Sequence, residues 1–282
     1  MSKTVILYHN HCEDGFGAAW AAWKKFGSKA KYVGVQYSEP IPNGLEGKDV
    51  YLLDFCYLPD AIKKLLKIVN KLVVIDHHVS NRKAIKLVPE SVFDSKFKHS
   101  GAFLAWKYFC PKTKIPRLIK LIEEADLWKW KSAYSLEIGA SLRSYDKDFK
   151  LWNKIAKDLE NNKRRKKYID EGKAILRSDQ EKIEHAVAQA ELVKFCGYKT
   201  MASNSLHLAS AIGAAIYSQL PPIAIIWSKR KDMTIVSLRS NGKVDVSKLA
   251  KKFGGGGHKT AAAFRLKSNQ KLPWNVISDN IS

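Results

Sequence analysis

Short apolar runs alternate with helix-forming segments in the first third of the chain. The runs are rich in β-branched and aromatic residues and lie at 4–8, 31–36, 50–53 and 72–75. Helical patterns follow the first and third runs, at 16–26 and 59–69. Because a strand, helix and strand in succession nearly always form a right-handed crossover, this order predicts a parallel sheet with flanking helices.

The secondary-structure pattern changes twice in the later part of the chain. From about 100 to 191 it is mostly helical, and the charged stretch 148–190 contains few breakers, which indicates a long connecting helix. Strand patterns return at 192–196, 222–227, 234–238 and 261–266, with helices near 208–219 and 246–253 between them. We predict an α/β protein with an N-terminal parallel-sheet domain (1–185, including the connecting helix) and a smaller C-terminal α/β domain (186–282).

The composition is typical of a globular protein without membrane spans or a disulfide framework. Hydrophobic residues make up 45% of 282, enough for packed cores, and no apolar run approaches the roughly 20 residues of a membrane span. The four cysteines lie far apart without a CxxC pair, which favours a reducing compartment over a disulfide framework. With no secretory signal pattern at the N-terminus, we expect a cytoplasmic protein that has no membrane partner.

The chain is strongly basic. Forty-nine Lys and Arg residues stand against 27 Asp and Glu, for a formal charge of +22. Such a charge attracts polyanions. Lysine on every surface explains it equally well, and the densest cluster, 163–167, fits a solvated helix face.

The chemistry-bearing residues collect where the first strands end. In an open α/β sheet, ligands bind at the carboxyl ends of the strands. Carboxylates and imidazoles that meet there suit a hard divalent cation such as Mn²⁺ or Mg²⁺. Three of the strand-type runs end in such residues: His9 and Asp14 after the first, Asp54 after the third, and Asp76, His77 and His78 after the fourth.

These residues resemble the motifs of a known family. The run Asp76-His77-His78 after an apolar strand is similar to the signature of the DHH phosphoesterases. Segment 9–15 resembles their first motif, Asp54 their second and Asp126 their fourth, while 254–262 resembles the glycine-rich signature of the DHH-associated substrate domain. The order and spacing match over nearly the whole chain and resemble a nanoRNase, an oligoribonuclease of this superfamily.

The resemblance implies a role for each matching position. His9 and Asp54 would hold one metal ion, and Asp14, Asp54, His77 and Asp126 a second, with two Mn²⁺ as the expected pair and Mg²⁺ as an alternative. Asp76 would orient the neighbouring imidazole, and His78 would stabilise charge or pass a proton at the phosphoryl group.

Cys12 departs from the family pattern. The family's first motif usually has an acidic ligand at this position, two residues before Asp14. As a metal ligand, the softer thiolate would favour Zn²⁺ or Fe²⁺. As a buried non-ligand, Cys12 would leave the first metal weakly held, with His11 and Glu13 as nearby substitutes. We favour Cys12 at the metal.

The C-terminal domain is expected to bind the substrate. Backbone N–H groups of Gly255, Gly256 and Gly257 could cradle a phosphate with His258, although a flexible turn explains a glycine run equally simply. Arg239, in a Ser-Leu-Arg-Ser context, resembles the family's substrate-contacting arginine. Arginine binds phosphate bidentately, although this one could also be an ordinary surface residue.

The resulting prediction is a metal-dependent phosphodiesterase that shortens single-stranded RNA or DNA oligonucleotides from one end. Within enzymes, the alternatives are a cyclic dinucleotide, a nucleoside bisphosphate or polyphosphate as substrate. Outside enzymes, a nucleic-acid-binding protein with an impaired site and an interaction protein that uses the basic cluster 163–167 remain open. A homodimer is also left open.

Overall fold

The computed structural model describes residues 2–10, 12–36 and 39–277. The chain forms two compact units, Met1–Leu176 and Arg177–Ser282. Among the described residues, no helix combines the length and apolar composition needed to cross a membrane.

The first unit contains the predicted parallel sheet. All its neighbouring strands are parallel, in the order β2-β1-β3-β4-β5. Strand β5 was not predicted, because its sequence, Glu-Ser-Val-Phe, has only two apolar residues and forms a half-buried edge. The strands are β1 (Thr4–His9), β2 (Ala30–Val35), β3 (Asp49–Leu53), β4 (Lys71–Asp76) and β5 (Glu90–Phe93).

Helices cover both faces of this sheet. Alternate residues of β3 point to opposite sides: Tyr51 and Leu53 join one buried cluster, and Val50 and Leu52 join another. This two-sided burial explains why the strands read as continuous apolar runs. The helices are α1 (Glu13–Phe26), α2 (Pro59–Ile68), α3 (Arg82–Ile85), α4 (Gly101–Phe109), α5 (Arg117–Asp126), α6 (Ser135–Arg143) and α7 (Phe149–Glu160).

A long helix, α8 (Asn162–Ala188), leads into the second unit. The charged stretch 148–190 is two helices rather than one, because Asn161 separates α7 from α8. Its Oδ1 accepts hydrogen bonds from the backbone N–H groups of Lys163 and Arg164, at 3.0 and 3.1 Å, which is the geometry of an N-cap. The predicted domain boundary at 185/186 and the division at 176/177 both lie within α8.

Beyond the end of α8, the second unit is a mixed sheet with two helices, as the predicted smaller α/β domain requires. Its strand order is β10-β11-β9-β8-β7-β6-β12, and only the β7–β8 pair is parallel. The elements are β6 (Glu191–Phe195), β7 (Tyr198–Asn204), α9 (Ala209–Gln219), β8 (Ile223–Lys229), β9 (Met233–Ser240), α10 (Val246–Lys251), β10 (Gly256–Gly257), β11 (Ala261–Lys267) and β12 (Asn275–Val276).

Candidate metal centre

The carboxyl ends of three neighbouring strands meet at one edge of the parallel sheet. His9 is the last residue of β1, Asp54 follows β3, and Asp76 ends β4. These strands are adjacent in the order β1-β3-β4, and the Asp54 N–H extends the ladder by donating to Ile75 O at 2.8 Å. The sheet therefore brings together residues that are far apart in sequence.

Three carboxylates surround the His77 imidazole. Its Nε2 lies 3.3 Å from Asp54 Oδ1 and 3.6 Å from both Asp14 Oδ2 and Asp126 Oδ2. His77 is 1% exposed, and its ring stacks on Phe97 with centroids 5.3 Å apart. This arrangement unites the four residues that the family resemblance assigned to one metal ion.

The N-terminus of α4 fixes the Asp14 carboxylate. Its two oxygens accept hydrogen bonds from the backbone N–H groups of Gly101 and Ala102, at 2.7 and 2.9 Å. These N–H groups have no partner within their own helix, and the positive end of the helix dipole favours a carboxylate. Asp14 thus has a fixed orientation in the first turn of α1.

Asp54 occupies a crowded and strained position. Its backbone has a left-handed φ of 61°, which is costly for a residue with a side chain. A Cβ on Gly101 would lie 2.6 Å from Asp54 Oδ1, so only glycine lets α4 approach this carboxylate. Asp54 is 2% exposed, with Oδ1 turned to His77 and Oδ2 to His9.

Cys12 lies in the second group of ligand-type atoms. Its Sγ is 3.3 Å from His9 Nδ1 and 3.5 Å from Asp54 Oδ2, and it accepts a hydrogen bond from the Gly15 N–H as the N-cap of α1. Of the alternative ligands, Glu13 instead forms an ion pair with Lys147 at 3.4 Å. His11 lies outside the described residues.

Asp76 is engaged by its own loop rather than by the other carboxylates. Its Oδ1 accepts from the backbone N–H groups of His77 and His78 at 2.7 and 3.1 Å and lies 2.7 Å from His78 Nδ1. Its Oδ2 accepts from Asn81 Nδ2 at 2.6 Å. Asp76 therefore sets the orientation of the His78 ring.

Electrostatic repulsion within the cluster opposes full ionisation. Burial, followed by the charges of Asp54 and Asp126, raises the pKa of Asp14 well above its usual range. Burial also raises the pKa of Asp126, to about 6, although His77 opposes this shift. For Asp54 burial acts in the same direction, but hydrogen bonds from His77 and His9 outweigh it and hold the pKa well below its usual value.

Despite burial, the negative charges of the carboxylates raise the pKa of His77 and His78 and so favour their positively charged forms. Burial lowers the pKa of His77, but Asp54, Asp14 and Asp126 outweigh burial and raise it to about 10. Burial likewise opposes protonation of His78, whereas Asp76 raises its pKa more strongly. The surrounding carboxylates therefore favour positive charge at this edge of the sheet.

The donor set fits divalent cations. Within the described residues, one potential ligand atom from each of His9, Cys12 and Asp54 lies within 4.8 Å of the others, and the same holds for Asp14, His77 and Asp126. Carboxylates and imidazoles suit Mn²⁺, and the thiol adds affinity for softer ions. A bound cation would relieve the repulsion that raises the pKa of Asp14 and Asp126.

The predicted substrate residues lie in the second unit. Arg239, on β9, donates from Nε and Nη2 to Ser210 Oγ at 3.2 and 3.1 Å. Gly256 and Gly257 form β10 and pair with β11, while the His258 N–H donates to Ala261 O at 2.7 Å. The glycine run is thus part of a sheet edge rather than a free turn.

Comparison with known proteins identifies the C-terminal part. The family model of the DHHA1 domain matches residues 192–274. The fold of the chain also matches a structure described as the DHH domain of a member of a ribosomal protein family, with a TM-score of 0.59, 17% identity and coverage of 94% of this chain and 83% of that one. The C-terminal part of the chain therefore matches the DHHA1 domain, and the chain shares the fold of that DHH-domain structure.

Other DHH-like structures share this fold at low sequence identity. An exopolyphosphatase-related protein from Bacteroides fragilis has a TM-score of 0.54 and 13% identity, with coverage of 95% of this chain and 87% of that one. RecJ from Thermus thermophilus, in complex with Mn²⁺, has a TM-score of 0.53 and 16% identity. The match covers 93% of this chain but 49% of RecJ.

A sequence relative extends over nearly the whole chain. An uncharacterized protein of Acanthamoeba polyphaga mimivirus is 25% identical over 303 residues, covering 98% of this chain and 70% of the relative.

Several supporting residues of the candidate metal centre were not predicted. They are Asn81, which holds Asp76, Phe97, which stacks on His77, and the backbone of Gly101 and Ala102, which binds Asp14. Asn81 had a weak signal, because a polar side chain shortly after a His-His pair can return to the preceding loop. The other contacts have no local signal, since they join segments that are distant in sequence.

Proposed function

We propose that this protein is a DHH-superfamily enzyme, a divalent-metal-dependent phosphodiesterase that hydrolyses short single-stranded oligonucleotides from one end. The observation that carries this proposal is the convergence of Asp14, Asp54 and Asp126 within 3.6 Å of His77 Nε2, next to His9 and Cys12. Asp14 and Asp54 are buried, and two buried carboxylates in one cluster are costly without a cation.

Two bound cations, with Mn²⁺ as our first choice, would supply Lewis-acid activation of the phosphoryl oxygens and of water. The Mn²⁺ in the RecJ structure of the same fold supports that choice. His9, Cys12 and Asp54 would hold one cation, and Asp14, Asp54, His77 and Asp126 the other.

His78 is suited to hold a proton at the phosphoryl group. Its Nδ1 lies 2.7 Å from Asp76 Oδ1, which fixes the ring and makes Nε2 the nitrogen that would face the substrate. Because the nearby carboxylate raises the pKa of His78, the ring retains its proton more readily than an ordinary histidine. A protonated Nε2 would donate to a phosphoryl oxygen or to the leaving oxygen.

In the second unit, Arg239 is our candidate phosphate ligand. Ser210 holds its Nε and Nη2, so the guanidinium has a restricted orientation. A fixed guanidinium binds phosphate with less loss of side-chain entropy than a free one. The backbone of Gly255 and of β10 (Gly256–Gly257), with His258, would complete phosphate binding.

The test is hydrolysis of end-labelled RNA and DNA oligonucleotides of two to five residues with Mn²⁺, Mg²⁺, Zn²⁺ or Fe²⁺, and with EDTA. We expect stepwise shortening that EDTA abolishes and that one metal ion restores best. Activity in EDTA after exhaustive metal removal would contradict the proposal.

The same panel separates other substrates. It includes a cyclic dinucleotide, a nucleoside 3′,5′-bisphosphate and polyphosphate. Turnover of one of these alone would keep the metal centre but replace the oligonucleotide as substrate. Salt-sensitive binding of single strands without turnover of any compound would instead indicate a nucleic-acid-binding protein.

A further inference from the structure

The first unit has a second candidate site on α8. A cavity of about 400 Å³ lies among the start of α5, the residue before α6 and one face of α8. This volume falls within the range of small-molecule sites, about 300–1,000 Å³. None of the residues assigned to metal or substrate lines it.

The lining is strongly basic. Arg117, Arg165, Lys166 and Lys173 contribute four cationic side chains, and Asp170 contributes the one carboxylate. Asp170 is paired with Lys166 at 2.5 Å, so the other three cations have no carboxylate in the lining. A concave site with this excess of positive charge attracts an anion.

The spacing on α8 explains how a charged helix forms a binding face. The lining positions of this helix are 162, 165, 166, 169, 170 and 173, which recur every three or four residues and so share one side of the helix. The basic cluster 163–167 is therefore divided: Arg165 and Lys166 line the cavity, whereas Lys163 does not.

Arg117 provides evidence for a missing partner. Its Nε is buried and has no hydrogen-bond acceptor among the described residues, although its side chain lines the cavity. A buried donor without an acceptor destabilises the folded protein, and more strongly when it belongs to a charged group. An anionic ligand in the cavity would supply the acceptor.

Tyr134 gives the site an aromatic wall. Its side chain is 50% exposed, its backbone is left-handed at φ 61°, and Lys173 Nζ lies 5.5 Å from its ring centroid. An exposed ring held in a strained backbone conformation is typical of a binding site. The flat face of such a ring stacks well on a nucleobase.

The loop before Tyr134 is rigidly held. Glu124 accepts hydrogen bonds from the backbone N–H groups of Lys131 and Ser132 at 2.9 and 2.8 Å and from the Ser132 hydroxyl. Its carbonyl also accepts from the Lys129 N–H at 2.8 Å. Tyr134 is thus positioned before a ligand arrives, which lowers the entropy lost on binding.

We infer that this cavity binds a nucleoside 5′-monophosphate unit, with its phosphate at Arg117, Arg165 and Lys173 and its base against Tyr134. The unit is either a free nucleotide or the phosphorylated end of an oligonucleotide. A phosphate explains the excess of cations, and a base explains the exposed aromatic ring. Binding requires neither metal ions nor hydrolysis, so the inference is independent of the proposed function.

The test is calorimetric titration of the full-length protein, in EDTA, with adenosine 5′-monophosphate, a 5′-phosphorylated triadenylate and inorganic phosphate. Lys173→Gln is compared with Lys163→Gln, which removes the same charge from an exposed site on the same helix outside the cavity. We expect the first change to weaken nucleotide binding at least about tenfold, because it removes a charged hydrogen bond to the phosphate. The second should change Kd by less than about a factor of two.

Tyr134→Asn isolates the aromatic contribution, because asparagine tolerates the left-handed backbone. We expect it to weaken binding of the nucleotide but not of inorganic phosphate. Equal losses in the two lysine variants, or no binding by the wild-type protein, would overturn the inference. If triadenylate binds more tightly and depends on the same residues, the ligand is an oligonucleotide end; tighter binding of the mononucleotide identifies a free nucleotide.

Discussion

Asp54 contributes one carboxylate oxygen to each of the two groups of ligand-type atoms. Oδ1 lies 3.3 Å from His77 Nε2, and Oδ2 lies 3.4 Å from His9 Nδ1. Its left-handed backbone indicates that the position is maintained at an energetic cost. Such strain at a buried carboxylate is more typical of a functional site than of a structural one.

Asp54→Ala should lower turnover of the oligonucleotide substrate by more than about 100-fold, because loss of a supporting group alone typically costs 10–100-fold at a metal site. Circular dichroism and thermal unfolding should show a folded protein. The control is Asp146→Ala, which removes an exposed carboxylate from the same unit. Wild-type activity in Asp54→Ala would exclude a shared-carboxylate metal centre.

Cys12 allows a spectroscopic test of metal ligation. If its thiolate binds a cation, Co²⁺ added to the metal-free protein should produce an intense near-ultraviolet sulfur-to-cobalt charge-transfer band. Cys12→Ser should abolish that band, whereas Cys196→Ser, at an exposed cysteine, should retain it. A Co²⁺-loaded wild-type protein that lacks the band would leave Cys12 as a buried non-ligand.

At the scale of elements, Asp158 joins α7 to the start of α8. This carboxylate, 8% exposed, accepts a hydrogen bond from the Tyr168 hydroxyl at 3.0 Å and lies 2.5 Å from Lys154 Nζ. Lys154, followed by the Tyr168 hydrogen bond, lowers the pKa of Asp158 despite the opposing effect of burial. The hydrogen bond between Asp158 and Tyr168 therefore holds α7 against α8, two helices that the sequence pattern alone does not separate.

Asp158→Asn should destabilise the protein by about 1 kcal/mol at pH 7, mainly through the buried hydrogen bond, since the exposed lysine contributes little. Because the folded pKa is lowered, the stabilisation is fully present above the unfolded pKa and is lost as pH falls through the folded pKa. Urea unfolding at pH 7 and pH 3 should therefore show a difference that shrinks at low pH. An equal effect of Asp146→Asn would assign the loss to net charge instead.

Strands that are buried on both faces were the easiest to predict. Strands β1, β3 and β4 are packed between helices, so their sequences are continuous apolar runs. Strand β7 was missed because five of its seven residues, in Tyr-Lys-Thr-Met-Ala-Ser-Asn, are polar or small. Its backbone is held by pairing with β6 and β8, which local sequence does not reveal.

At the scale of the whole molecule, part of the net charge of +22 is concentrated at the two proposed anion-binding sites. Four cationic side chains surround one cavity in the first unit, and Arg239 is held in the second. Many other lysines lie on exposed helix faces, as a lysine-rich surface would have them. Salt dependence of binding distinguishes these contributions, because only contacted phosphates release counterions.

Binding of a single-stranded tetranucleotide in EDTA should weaken roughly 20-fold between 50 and 200 mM salt, as expected for about three neutralised phosphates at a slope near −0.7 each. Fluorescence anisotropy measures this directly. An uncharged methylphosphonate analogue with the same bases serves as the control and should show almost no salt dependence. A salt-independent affinity for the natural strand would mean that the basic surface does not contact its phosphates.

The sequence by itself determined the alternation of strands and helices, and hence the parallel sheet with ligand-type residues at its carboxyl edge. Local periodicity and the handedness of crossovers are sufficient for that conclusion. It also placed His9, Asp54 and Asp76 at equivalent strand ends. The family resemblance added Asp126, which no local pattern singled out.

Only the tertiary structure decided which groups bind those residues and where the second cavity forms. The helix α4 that binds Asp14 begins 87 residues after it in sequence. The cavity on α8 likewise requires α5, Tyr134 and α8 to meet. Contacts of this kind depend on how packed helices are oriented. The free energy that selects this orientation is the sum of many small side-chain contacts, so no single segment of the sequence reveals it.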